Sequence, residues 1–290
     1  MSMSPKCISP AGALLGEGVV WMPEEEAVYW LDIKGKMVHR HQTKTGGQTS
    51  WPMPEEIGCL IPRASGGFVA GLQSGLAFCD LESTDLQPLG GPETDIPGNR
   101  INDGKADAKG RIWVGTMDNA ETAATGALYR VDADGGQHRM DTDYVITNGP
   151  AFSPDGTTLY HTDTLKKTIY AFDLDAGGDL LNKRAHIVLP DGQGWPDGMT
   201  VDAEGGLWVA HFGGWRVSRF LPDGTLDRVI EMPVGQITNV AFGGAELDTL
   251  YITTAAKQLD AAALAEQPLA GALFEAHVAI KGLLAGRYAG

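Results

Sequence analysis

The chain has 290 residues, 22 of them basic and 37 acidic, for a formal net charge of −15. That balance excludes nucleic acid and anionic membrane surfaces as principal partners, because both require basic patches. With 43% apolar and 20% charged residues the chain is a folding one, and its 39 glycines, nearly twice the usual share of about 7%, imply many tight turns between short strands.

From the N-terminus, MSMSPKCISPAGALLGEG has no basic segment followed by a long apolar one, so no signal peptide is expected. Residues 1–11 read as a loose segment leading into one domain that fills 1–290. No apolar run reaches the roughly 18 residues a membrane-spanning helix needs. Three cysteines (Cys7, Cys59, Cys79) without a CxxC pair fit a reducing compartment, and the expected location is the cytoplasm.

One pattern then recurs along the chain: a Gly- and Asp-rich turn, a strand with an aromatic or aliphatic centre, and a partner strand. It appears as PEEEAVYWLD, ASGGFVAGLQ, DAKGRIWVGT, SPDGTTLYHT, DAEGGLWVAH and AELDTLYITT, centred on Tyr29, Val69, Trp113, Tyr160, Trp208 and Tyr251. Successive centres lie 40 to 48 residues apart. A period of about 40–50 with several strands per unit is that of a β-propeller. Six copies fill the chain, so the expected fold is all-β, a six-bladed β-propeller, with an N-terminal strand completing the last blade. Residues 258–266 (QLDAAALAE) read as a short helix. A β-sandwich with accidental spacing is the weaker alternative.

Ten to twelve residues before each centre lies a segment that would form the innermost strand: GEGVVW, IGCLIP, NDGKAD, TNGPAF, PDGMTV and TNVAFG. Their matching positions are Glu17, Gly58, Asp103, Asn148, Asp197 and Asn239. Asp or Asn before Gly ordinarily makes a turn. Five acceptors in one register argue instead for side chains aimed at the channel axis at one height. Facing carboxylates repel and are penalised by burial unless a cation lies between them. Carboxylate and amide oxygens suit a hard divalent ion such as Ca²⁺, Mg²⁺ or Mn²⁺, with Zn²⁺ or Fe²⁺ as further options.

These residues resemble the SMP-30/gluconolactonase family, the regucalcin-like proteins. The resemblance rests on LGEGVVW (15–21), RINDGKADAKGRIWVGTM (100–117), GALYRVD (126–132), ITNGPAFSPDGTTLYHTDT (146–164) and PDGMTVDAEGGLWVA (196–210), and runs from about residue 12 to the C-terminus. It implies a six-bladed propeller with one divalent metal at the channel mouth, and hydrolysis of sugar lactones. By the same resemblance the metal ligands are Glu17, Asn148 and Asp197, with Asp197 also the general base. Arg100 and Asn102 would hold substrate hydroxyls, with Asp103 lining the same pocket. The family's substrate-contacting Glu after GTM has no ungapped match, since Ala120 falls there; Asn119 or Glu121 would take its role.

Lactone hydrolysis needs a polarised carbonyl, an activated water and a stabilised oxyanion. A divalent ion supplies the first, a carboxylate accepts the water's proton, and the Arg100 fork steadies the oxyanion. No G-x-S-x-G elbow offers a covalent nucleophile. His161 and His211 read as packed, hydrogen-bonded strand residues, Cys59 as a buried thiol, and Trp195 and Trp215 as loop residues able to wall a sugar pocket. The expected reaction is hydrolysis of a xylono-, arabinono-, rhamnono- or gluconolactone, with no obligate protein partner evident. The alternatives are a paraoxonase-like propeller esterase and a non-enzymatic metal-binding scaffold.

Overall fold

A computed structural model describes residues 4–83 and 85–290. Its strands form six four-stranded antiparallel sheets, each meandering from an innermost to an outermost strand. These are the six blades, and the innermost strands are Gly16–Met22, Ile57–Pro62, Asn99–Ala106, Thr147–Phe152, Trp195–Val201 and Ile237–Gly243, for blades I to VI in order. All six repeat centres lie in the second strand of their blade, and all are buried. The fold is the expected six-bladed β-propeller.

Blade VI closes the ring with both chain ends. Its outer strand is Lys6–Ser9, antiparallel to Leu273–His277 through Lys6 opposite Glu275 and Cys7 opposite Phe274. The chain is therefore tied into a sheet from Lys6 onward, where a loose segment was expected to run to residue 11. Residues 1–3 lie outside the described residues. The helix Ala261–Glu266 forms where QLDAAALAE predicts it, with Asp260 accepting the Ala263 N–H at 2.9 Å.

Apolar side chains fill every gap between neighbouring blades. Val20, Tyr29 and Trp51 of blade I pack with Leu60, Phe68 and Leu72 of blade II, and equivalent clusters join II to III, III to IV, IV to V, V to VI and VI to I. In blades III and V the turn before the central strand is braced identically. Asp107 and Asp202 each accept the N–H two residues on (2.9 and 3.0 Å) while their second oxygens bind Trp113 Nε1 (2.9 Å) and Trp208 Nε1 (2.7 Å). The Asp-x-x-Gly turn thus locks the blade's central aromatic in place.

After blade VI the chain runs across one end of the channel. Lys281 O accepts from Ala203 N of blade V at 2.8 Å, and Gly282 N donates to Leu247 O at 2.7 Å. Tyr288 N then donates to Pro62 O of blade II at 2.9 Å, with its ring buried beside Phe78. We call the strapped end the base and the other end the mouth. Among the described residues, no helix is long and apolar enough to cross a membrane.

Candidate active site

Each innermost strand carries one extra residue relative to its neighbour, a β-bulge, at the height of the expected ring. The register shifts fall between Glu17 and Val20, Ile57 and Cys59, Ile101 and Asp103, Asn148 and Ala151, Pro196 and Met199, and Ile237 and Asn239. A bulge re-aims the side chains beside it. Glu17 and Asn148 precede their bulge and Asp197 lies inside its own. These three face the mouth, in a cleft of about 140 Å³. Asp103 and Asn239 follow theirs and face the base, in a separate cavity of about 460 Å³. Blade II contributes only Gly58, because a Cβ there would stand 2.2 Å from Ile101 O.

The five acceptors expected in one ring are therefore split between two ends. Asn239 is not an acceptor towards the axis at all. Its Oδ1 accepts the Val240 N–H at 2.8 Å, so its amide nitrogen points inward, 2.9 Å from Glu17 Oε2 and 3.4 Å from Asp103 Oδ2. It bridges the two carboxylates as a donor. Asp103 does not line the pocket of Arg100 and Asn102. It accepts from Gly104 N (2.7 Å) and Gly149 N (2.9 Å), tying blade III to blade IV beneath the cleft.

Two blade III side chains do reach the mouth. Arg100 and Asn102 are both buried and both line the cleft. Arg100 donates from Nη1 to Asn102 Oδ1 at 2.7 Å and from Nε to Asn119 Oδ1 at 2.9 Å. Asn102 passes its amide hydrogens to Thr147 O (2.6 Å) and Asn148 Oδ1 (3.2 Å). Asn119 stands behind Arg100, where it also accepts from Lys34 Nζ at 2.8 Å. Of the two candidates for the missing Glu, Glu121 is the one in the cleft, ion-paired with Lys257.

The sequence reading missed Lys257, which sits on a loop outside the repeat whose backbone N–H donates to Leu14 O at 2.9 Å. It also missed Thr164. That hydroxyl donates to Pro196 O at 3.0 Å, so towards Asn148 Nδ2 (2.9 Å) it acts as acceptor. Thr164 thereby fixes the Asn148 amide with its nitrogen outward, leaving its oxygen, which accepts from Asn102 Nδ2, a lone pair for the cleft. Trp195 lines the cleft rim, whereas Trp215 does not. His211 is buried and hydrogen-bonded to Gln193 O at 2.8 Å; His161 is buried with neither ring nitrogen bonded among the described residues.

Burial dominates the electrostatics. It raises the Glu17 carboxyl, helped by the charge of Asp103, to about 7. The same burial, reinforced by Glu17 and then Asp103, holds Asp197 well above the usual carboxylate range. Arg100 is pulled down by burial against the opposing effect of Glu56 and Glu121. Buried carboxylates of like charge pointing at one another ask for a cation. Glu17, Asp197 and the oriented Asn148 oxygen form the hard oxygen set a divalent ion takes, with room for ligands other than protein. The donor set fits. Among the described residues, no cluster of three His, Cys, Asp or Glu side chains is drawn together for a metal; the set here has two carboxylates and an amide.

Residues 15–256 match the family model described as the SMP-30/gluconolactonase/LRE-like region. The chain is 36% identical over 291 residues to a 6-deoxy-6-sulfogluconolactonase of Pseudomonas putida, covering 100% of both proteins. It is 36% identical over 280 residues to an L-arabinolactonase of Azospirillum brasilense, covering 95% of this chain and 92% of that one. Among solved structures, a calcium-binding protein, regucalcin, of Agrobacterium tumefaciens superposes with a TM-score of 0.95 at 30% identity, over 99% of this chain and 97% of that one.

Proposed function

The chain belongs to the SMP-30/gluconolactonase/LRE-like family, and from that premise we propose that it hydrolyses a sugar aldonolactone to the aldonic acid. The observation that carries this is the convergence of Arg100 and Asn102 with Glu17, Asn148 and Asp197 in one cleft. Hydroxyl-binding groups beside buried carboxylates suit a polyhydroxylated cyclic ester better than an apolar one. The similar proteins named sulfogluconolactonase and L-arabinolactonase support the substrate class. Within it, a xylono-, arabinono-, rhamnono- or gluconolactone is the expected substrate.

Glu17, Asn148 and Asp197 would hold one divalent cation (Ca²⁺, Zn²⁺, Mn²⁺, Mg²⁺ or Fe²⁺). When bound, that ion polarises the lactone carbonyl. Arg100 donates to the sugar hydroxyls and Asn102 Oδ1 accepts from one, and together they fix which face of C1 meets the water. Asp197 is the general base: a carboxylate oxygen accepts a proton from the water as its oxygen bonds to C1. A carboxylate oxygen held on a cation is a poor base, so the proton would go to the second, uncoordinated oxygen of Asp197. As the tetrahedral intermediate collapses, the C1–ring-oxygen bond breaks and Asp197 returns the proton to the leaving alkoxide. Glu121 and Lys257 offer an acceptor and a donor to hydroxyls further from C1. Three free cysteines support a cytoplasmic setting.

A pH-stat assay on an aldonolactone panel tests the reading, using chelator-stripped protein with and without each cation. Cation-dependent acid release on one or two sugars, absent in Asp197→Ala, is expected. Cation binding without hydrolysis of any lactone would overturn the enzymatic reading and leave a metal-binding propeller.

A further inference from the structure

The cavity at the base belongs to no part of the chemistry above. It holds about 460 Å³ between the innermost strands and the C-terminal strap, of the size that accepts a small organic ligand. Its walls are largely apolar, including Ile61, Phe152, Val201 and Ala241, with Leu284 of the strap among them. At depth stands Lys105, two residues beyond Asp103 on the same strand and so on the same face. Its Nζ donates to Met199 O, the one hydrogen bond it makes among the described residues, and an ammonium carries three donors. Asp103 is otherwise engaged, accepting from Gly104 N, Gly149 N and Asn239 Nδ2. The group with unused hydrogen-bonding capacity is therefore the Lys105 ammonium, its charge offset in part by Asp103 beside it, at the end of a largely apolar pocket.

We propose that this cavity binds a monocarboxylate with a short unbranched aliphatic chain, its carboxylate on Lys105 and its chain along Phe152 and Val201 towards the strap. A carboxylate supplies the acceptors that Lys105 lacks, and charge-assisted bonds of this kind are about twice as strong as neutral ones. The chain covers wall that water solvates poorly. The strap is held at both ends but leaves Leu283 and Leu284 exposed between them, placing an apolar edge where the ligand's tail would emerge.

Calorimetric titration with octanoate and with octanol tests this on the unmodified protein. Octanoate should bind saturably and at least tenfold more tightly than octanol. Lys105→Met should abolish that preference. Ala285→Trp, which fills the opening at an exposed strap position, should weaken octanoate at least tenfold while leaving lactone hydrolysis unchanged. No saturable binding of octanoate at millimolar concentration, equal binding of the two probes by the unmodified protein, or octanoate binding indifferent to Ala285→Trp would each overturn the proposal.

Discussion

The two ends of the channel are built from the same six strands at the same height, yet they differ in chemistry. The mouth gathers Glu17, Asn148, Asp197, Arg100 and Asn102 around a small cleft, whereas the base sets Asp103 and Lys105 in a larger cavity. The difference is the place of one extra residue in each innermost strand. A side chain before or within the bulge looks to the mouth, and one after it looks to the base. Position in the repeat sets height; bulge position sets which end a group serves.

The largest expected effect tests that split directly. Asp197→Ala should lower kcat/KM for the preferred lactone at least 10³-fold with the fold retained, as loss of a base and ligand together implies. Asp103→Asn should leave kcat/KM within about threefold but lower thermal stability, because an amide cannot accept from both Gly104 and Gly149 while presenting N–H groups of its own; leaving one buried donor unpaired costs about 1–3 kcal/mol. A 10³-fold loss from the second variant would return Asp103 to the catalytic side. Next in size, Arg100→Ala should reduce kcat/KM roughly 10²-fold, a loss of charge-assisted hydroxyl contacts felt mainly in KM. An unchanged kcat/KM removes Arg100 from the site.

How much of this was legible from sequence follows from what repeats. The blades, their central aromatics and the N-terminal closing strand come from a 40–48-residue period that the strands obey closely. Glu17, Asn148 and Asp197 were legible because they occupy one position of that period. The separation of Asp103 and Asn239 from them was not, since a bulge of one residue moves the offset to the next strand by no more than loop length does. Lys257 and Glu121 lie on loops outside the period, and the family's Glu has no ungapped counterpart, so nothing in the chain's spacing joins them. Thr164 was hidden differently: its role is the direction of one hydroxyl, visible only once Pro196 O is seen beside it.

A smaller effect probes how the mouth is kept in order. Thr164→Val preserves shape but removes the acceptor that holds the Asn148 amide nitrogen. The amide is then free to turn, and cation affinity measured by calorimetry should fall about tenfold, the lower end for losing a partner that orients a ligand. Thr164→Ser should restore it. Equal affinity in all three proteins would mean that Asn148 is oriented by Asn102 alone.

The smallest effect on catalysis should come from the wall between the two ends. His161 is buried in the central strand of blade IV, edge-on to the Tyr144 ring at 4.8 Å, with both nitrogens unpartnered among the described residues. Burial lowers its pKa to about 3, so the folded chain keeps this ring neutral where the unfolded chain takes up a proton. Stability is therefore lost as pH falls from the unfolded value near 6.5 towards 3, and is untouched at neutral pH. His161→Phe should flatten the acid limb of a stability-versus-pH curve by up to about 1.4 kcal/mol per pH unit. The pH profile of kcat/KM should not move, because the ring opens to neither cavity. A shifted profile would show that the wall feeds protons to one of the ends, and the division of chemistry between mouth and base would no longer hold.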